Sequence, residues 1–204
     1  MCEKSTKIKF YNIVKAMSNA MDLISETLVG HHRKVAYISL QLGQQLGLSF
    51  EEKQKLVIAG LIHDLGVFYL NEKFSDLSFD NKNNKHAMVG YKLSKGLFPD
   101  KEIPEIIKYH HHKYSQKNQD IPLLSHVIHL ADRIAVLIKD DIFILDQKTK
   151  IENIIKKYSG NNFWSAGVNG FIQLSKKEYF WLDVIAPKRI EKKLTNFIKM
   201  LIKK

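Results

Sequence analysis

Apolar residues recur at spacings of three and four along almost the whole chain, and this periodicity constrains the fold more than any other feature: it is the signature of amphipathic helices. Val35, Ile38, Leu42 and Leu46 form one such stripe. The next segment, 56–65, is apolar on most sides and reads as a central buried helix. Gly47 suits a C-cap after the first stripe, and Ser49 with Glu52 three residues on makes a capping box that opens the second helix. With only 4 Pro and 10 Gly in 204 residues, a turn-rich all-β fold lacks its turn material. The expectation is an all-α bundle, and 45% hydrophobic residues suffice for its core.

Further helices are predicted over 86–95, 103–111, 122–138, 148–158 and 163–174. Two polar stretches, 71–85 and 115–120, read as loops, each beside histidines. That placement predicts a site at one end of the bundle. The chain divides into a helical extension (1–20), a main domain (21–175) and a basic amphipathic helix packed on it (176–204).

Thirty-two Lys and Arg against 21 Asp and Glu give a net charge of +11. Residues 188–204 hold seven of the basic residues and one Glu, so +6 of the surplus lies there. Ile190, Leu194, Phe197, Ile198 and Leu201 share one face of that segment, which reads as a docked helix with a solvated basic side. A nucleic-acid partner is the less favoured reading, because no helix-turn-helix or zinc-finger signature accompanies the charge. No run approaches the roughly 18 apolar residues of a membrane span, the N-terminus is polar, and the lone Cys2 forms no internal disulfide. A soluble, cytoplasmic protein is expected.

The nine histidines are unevenly placed. Most fall into His31-His32, His63-Asp64, His86 and His110-His111-His112, and Asp132 lies in the apolar run 127–136. Imidazole and carboxylate together suit borderline divalent metals such as Fe, Mn, Zn and Co. Burying Asp64 and Asp132 without compensation would cost several kcal/mol, so each needs a partner, and a cation is a suitable one. Two cations about 3.5–4 Å apart, bridged by a carboxylate, can make a bridging hydroxide and neutralise a phosphoryl group under attack. His126 and His129, at spacing three before Asp132, are expected in a supporting layer or at the surface.

In order and approximate spacing, these motifs resemble the HD superfamily of metal-dependent phosphohydrolases, and within it the HD-GYP branch. The resemblance rests on Gly30-His31-His32-Arg33-Lys34-Val35-Ala36, on Ala59-Gly60-Leu61-Ile62-His63-Asp64-Leu65-Gly66, on His86-Ala87-Met88-Val89-Gly90, on His110-His111, and on Leu130-Ala131-Asp132. It implies an HD-type helical bundle with His31, His63, Asp64, His86, His110, His111 and Asp132 as metal ligands. Asp64 would bridge two divalent ions, with His63 and Asp64 at the catalytic centre. Fe or Mn is favoured, with Zn, Co, Ni or Mg as alternatives. His32 is the neighbour of a ligand rather than a ligand, and His112 stands where the family has Glu.

The chain also departs from the branch. Val67 occupies the position of a phosphate-binding Lys, and the segment from Lys113 to Asp120 lacks the Gly-Tyr-Pro loop. The carboxylate used for a third metal falls on Thr27, beside Glu26. The expected activity is a phosphodiesterase acting on a nucleotide or cyclic dinucleotide, with Lys113, Lys117 and Arg133 as substrate contacts. The alternative is a weak or inactive HD-GYP-like module that binds a nucleotide or metal for signalling. The motifs begin near residue 28, leaving too little preceding chain for a sensory domain, so regulation is expected from a separate partner.

Overall fold

The computed structural model describes residues 2–23, 29–70, 85–98, 100–116 and 120–199, with 2–9 and Phe68 described in backbone only. Helix α1 (Cys2–Asp22) packs along α3 (Phe50–Ile62) and buries Tyr11, Val14 and Met21. Between them, α2 (His31–Gln45) starts after Gly30 at φ 76° and is followed by Gly47 at φ 70°. Both dihedrals lie in the left-handed region that favours glycine. The predicted capping box is present: Ser49 Oγ accepts from Glu52 N at 3.1 Å and Ser49 N donates to the Glu52 carboxylate at 2.7 Å. Helices α2 and α3 approach so closely that a Cβ on Gly60 would lie 2.7 Å from Ala36 Cα. Val35, Ile38 and Leu42 are buried there as the stripe predicts, with Leu46 partly buried.

The central apolar helix ends sooner than its sequence implies. It stops at Ile62, His63 caps it, and Asp64 lies in the turn before the short α4 (Leu65–Leu70). Helix α4 packs on α5 (Lys85–Lys95), and α5 packs on α6 (Glu102–Tyr109), which is capped by His110. Helix α7 (Leu123–Leu137) is buried at every position from Leu124 to Ala135 and lies against α2, α3 and α6.

Helix α8 (Ile144–Lys157) begins four residues before the predicted 148. Ile144 is buried, and the Gln147 amide donates to the carbonyls of Lys139 and Ile142, fixing the turn that starts the helix. Helix α9 (Ser165–Ser175) begins two residues after the predicted 163, because Phe163 is buried in a turn where Gly160 N bonds its carbonyl. Among the described residues of the C-terminal region 176–204 there are two helices, α10 (Glu178–Val184) and α11 (Pro187–Lys199). Pro187 explains the break, since proline opens a helix readily but cannot continue one. Ile190, Leu194, Phe197 and Ile198 are buried as predicted, and Leu201 lies outside the described residues. Asp183 accepts from Lys193 at 2.7 Å and from Arg189 at 3.3 Å, so part of the basic face is already paired within the chain.

Among the described residues all regular elements are helical, as expected, and no helix is long and apolar enough to cross a membrane. Of the predicted loops, 71–84 and 117–119 fall outside the described residues, and Lys85 already belongs to α5.

Candidate metal centre

Five elements converge on Asp64. The N-terminus of α2 brings His31, the α3–α4 turn brings His63 and Asp64, α5 brings His86, the end of α6 brings His110 and His111, and α7 brings Asp132. The two oxygens of Asp64 face different imidazoles. Oδ1 lies 3.5 Å from His110 Nε2 and 3.6 Å from His86 Nε2. Oδ2 lies 3.0 Å from His63 Nε2 and 3.9 Å from His31 Nε2. Asp132 Oδ1 closes the second side, 3.2 Å from His31 Nε2 and 3.8 Å from His63 Nε2. Two groups therefore have donor atoms close enough to share an ion: Asp64, His86, His110 and His111, and His31, His63 and Asp64. Donors about 2.1 Å from one cation stand roughly 3.0–3.6 Å apart at ordinary coordination angles. The Asp64 contacts to His63, His110 and His86, at 3.0–3.6 Å, lie in that range, and those of His31 to Asp64 and His63 to Asp132, at 3.9 and 3.8 Å, are slightly wider.

The backbone sets which nitrogens face inward. His63 Nδ1 donates to Gly60 O at 3.0 Å and His110 Nδ1 donates to Ile107 O at 2.6 Å. In the neutral form that binds metal each imidazole has one N–H, so with Nδ1 committed to a carbonyl both Nε2 atoms would present lone pairs toward Asp64. Those two nitrogens and Asp64 Oδ1 are buried without a hydrogen-bond partner. Lone pairs opposed to a carboxylate in a buried space are stable only with positive charge between them, so the residues present fit divalent cations. His86 Nε2 and His111 Nε2 meet at 2.8 Å, adding two ring nitrogens to the same group.

The same demand for positive charge governs the titration. Burial pulls the His63 imidazole down, but the carboxylates of Asp64 and Asp132 outweigh it and lift its pKa to about 10. Burial would raise Asp64 and Asp132, yet His63 and His110 hold the first, and Arg133 and His31 the second, well below the carboxylate range. His86 is pushed to about 4, chiefly by burial, and His111 is likewise depressed. Neutral imidazole is the form that binds metal.

The remaining predicted residues are placed as follows. Arg133, expected at the substrate, is buried at 3% exposure and its Nε donates to Asp132 Oδ2 at 3.1 Å, so its visible task is to hold a carboxylate. Lys113 is exposed just after the triple histidine, whereas Lys117, Glu26 and Thr27 fall outside the described residues. Val67 is buried at 7%, and its N–H bonds Asp64 O at 2.9 Å. His126 and His129 are buried rather than at the surface. His129 donates from Nδ1 to the His112 carbonyl at 3.2 Å and its ring lies 6.3 Å from that of His111. Sequence reasoning missed Asp22, which lies at the end of α1 with 9% exposure and accepts from Arg33 at 2.6 Å. No motif marks it; only the fold carries it to the start of α2.

The HD domain family model matches residues 28–137, a segment containing all seven predicted ligands. The chain belongs to the HD domain family. Among curated proteins it is similar to 3'3'-cGAMP-specific phosphodiesterase 1 of Vibrio cholerae serotype O1, with 25% identity over 181 residues that cover 82% of this chain and 42% of that protein. The chain thus spans less than half the length of this relative. Family and relative together support metal-dependent phosphohydrolase chemistry in general, and the structure contributes His/Asp groups that could hold the metal.

Proposed function

We propose that this chain is an HD-GYP-like phosphodiesterase that uses two divalent ions to cleave a phosphoester bond in a nucleotide or cyclic dinucleotide. The observation that carries this reading is the division of Asp64: one oxygen faces His86 and His110, the other His63 and His31. A carboxylate so placed is suited to bridging two ions. His31, His63 and Asp132 complete one position, and His86, His110 and His111 the other. Bound there, the ions would polarise a phosphoryl oxygen and acidify a water toward neutral pH.

The protein residues orient this chemistry. Gly60 and Ile107 carbonyls fix the histidine tautomers, and Arg133 keeps Asp132 ionised and directed inward. The mixed nitrogen and oxygen donors favour Fe or Mn. Lys113 or Lys117 would supply the phosphate contact that Val67 does not. The name of the relative supports the choice of a cyclic dinucleotide.

Protein loaded with Mn²⁺ or Fe²⁺ should release product from a generic aryl phosphodiester or from one member of a nucleotide and cyclic dinucleotide panel. Asp64→Ala should lose metal and activity together. No product from any substrate, with stoichiometric metal bound, refutes the enzyme. The buried Val67 gives weight to one other reading, a module that binds a nucleotide at the metal site without turnover. Tight nucleotide binding with no product after long incubation would favour that reading.

A further inference from the structure

His32 follows His31 on α2 and is fully buried, at 0% exposure, yet carboxylates stand at both edges of its ring. Nδ1 lies 3.7 Å from Asp22 Oδ1, and Nε2 lies 3.8 Å from Asp64 Oδ2. Neither ring nitrogen has a hydrogen-bond partner, nor has Asp22 Oδ1. With one N–H to give, a neutral ring turns a lone pair toward one of the two carboxylates whichever tautomer it adopts. That conflict is relieved where a cation lies between lone pair and carboxylate.

The two sides are not equivalent. Arg33 already supplies a positive partner to Asp22, donating to Oδ2 at 2.6 Å. Asp64 Oδ2 instead faces His63 Nε2, and in the neutral form that binds metal the single proton of that ring stays on Nδ1 against Gly60 O. The Asp64 side is therefore where several lone pairs need a shared cation, and the Asp22 side is where the His32 proton belongs.

We propose that Asp22 and His32 extend the metal centre: Asp22 accepts a hydrogen bond from His32 Nδ1, and this fixes Nε2 as a further imidazole donor to the cation on Asp64 Oδ2. The proposal rests on the metal-centre reading above. It makes Asp22 a positioning residue contributed by α1, upstream of the matched segment 28–137. It also gives a purpose to a buried imidazole that the seven predicted ligands leave unused. Arg33, beside it, holds Asp22 in place from the other oxygen.

The test is Mn²⁺ titration of the full chain, followed by the spin-resonance signal of free Mn²⁺, for wild type, Asp22→Asn, His32→Gln and the double variant. Urea unfolding of the metal-free proteins is run alongside. Each single variant should weaken Mn²⁺ binding about ten- to a hundredfold, the usual effect of losing an outer-shell partner or more. The double variant should bind no more weakly than His32→Gln, because Asp22 acts through His32. A purely structural role would lower the urea midpoint and leave Mn²⁺ affinity within twofold of wild type, which overturns the proposal. So would a double variant whose loss is the product of the two single losses.

If Asp22→Asn does not fold, hyperfine coupling decides: Mn²⁺ in wild type should show one more imidazole nitrogen than in His32→Gln, and equal counts overturn the proposal. A wild-type chain that binds no Mn²⁺ would instead sink the metal centre itself, a result distinct from normal wild-type binding with unaffected variants.

Discussion

Gly66 and His86 meet backbone to backbone: a Cβ on Gly66 would fall 1.9 Å from the His86 carbonyl oxygen and 2.7 Å from Gly90 N. This approach sets α4 against α5 and brings His86 within 3.6 Å of Asp64. Gly66→Ala is expected to destabilise the protein by roughly 1–3 kcal/mol, since backbone cannot move aside as a flexible side chain can. Metal content should fall first in the group containing His86, to about one ion per chain. Urea unfolding and metal analysis of the purified variant check both effects.

Arg133 and Asp132 form a buried pair beside the centre. Arg133→Leu leaves the carboxylate without that partner, which costs about 3 kcal/mol in metal-free protein. Mn²⁺ can replace the lost charge, so the rise in melting temperature on adding Mn²⁺ should be larger in the variant than in wild type. An equal or smaller rise would contradict this account of Asp132.

Acid should weaken the metal-free protein before any carboxylate titrates. Burial holds His32 and His86 down to about 4 and His129 to about 3. Below about pH 6.5 the unfolded chain takes up protons that these buried rings refuse, so stability falls as pH drops from about 6.5 toward 4. His63 works the other way. Its raised pKa gives a contribution that is complete below about 6.5 and lost as pH climbs through about 10. Urea midpoints across pH 4–10 should therefore peak near neutrality, and a flat profile between pH 4.5 and 7 would refute the burial argument.

Helix α11 is held by its apolar face. Phe197 is 3% exposed and its ring lies 4.8 Å from that of Phe50 on α3. Phe197→Ala should cost about 3–5 kcal/mol, the usual price of emptying a buried aromatic site. A helix serving only as a basic tether would lose under 1 kcal/mol in the same urea experiment.

The helical class and the Ser49–Glu52 capping box were legible because they rest on short-range spacing, and the clustered histidines with two buried Asp stood out through the cost of burying charge; which seven of them gather was implied only by the resemblance to the HD superfamily. Helix ends were less so. The start of α8 depends on Gln147 reaching back to the 139–142 turn, a contact made by folding rather than by local pattern. The break before Pro187 did carry a local signal, which the stronger apolar stripe of 190–201 concealed. Asp22 carried none: a single acidic residue at a helix end acquires meaning only when tertiary packing sets it beside His32 and Arg33. Arg133 was read as a substrate contact because a basic residue beside a ligand faces either way in sequence, and here it turns inward.

Two helices from opposite sides of the matched segment also touch each other, with Lys15 of α1 pairing with Glu191 of α11. Chain beginning and chain end are thereby cross-braced over α2 and α3. A fragment trimmed to 28–137 would keep every predicted ligand yet expose the surfaces that Val14, Met21, Leu194 and Phe197 now cover. Grafting this histidine- and aspartate-bearing block into another scaffold would require carrying both flanks with it.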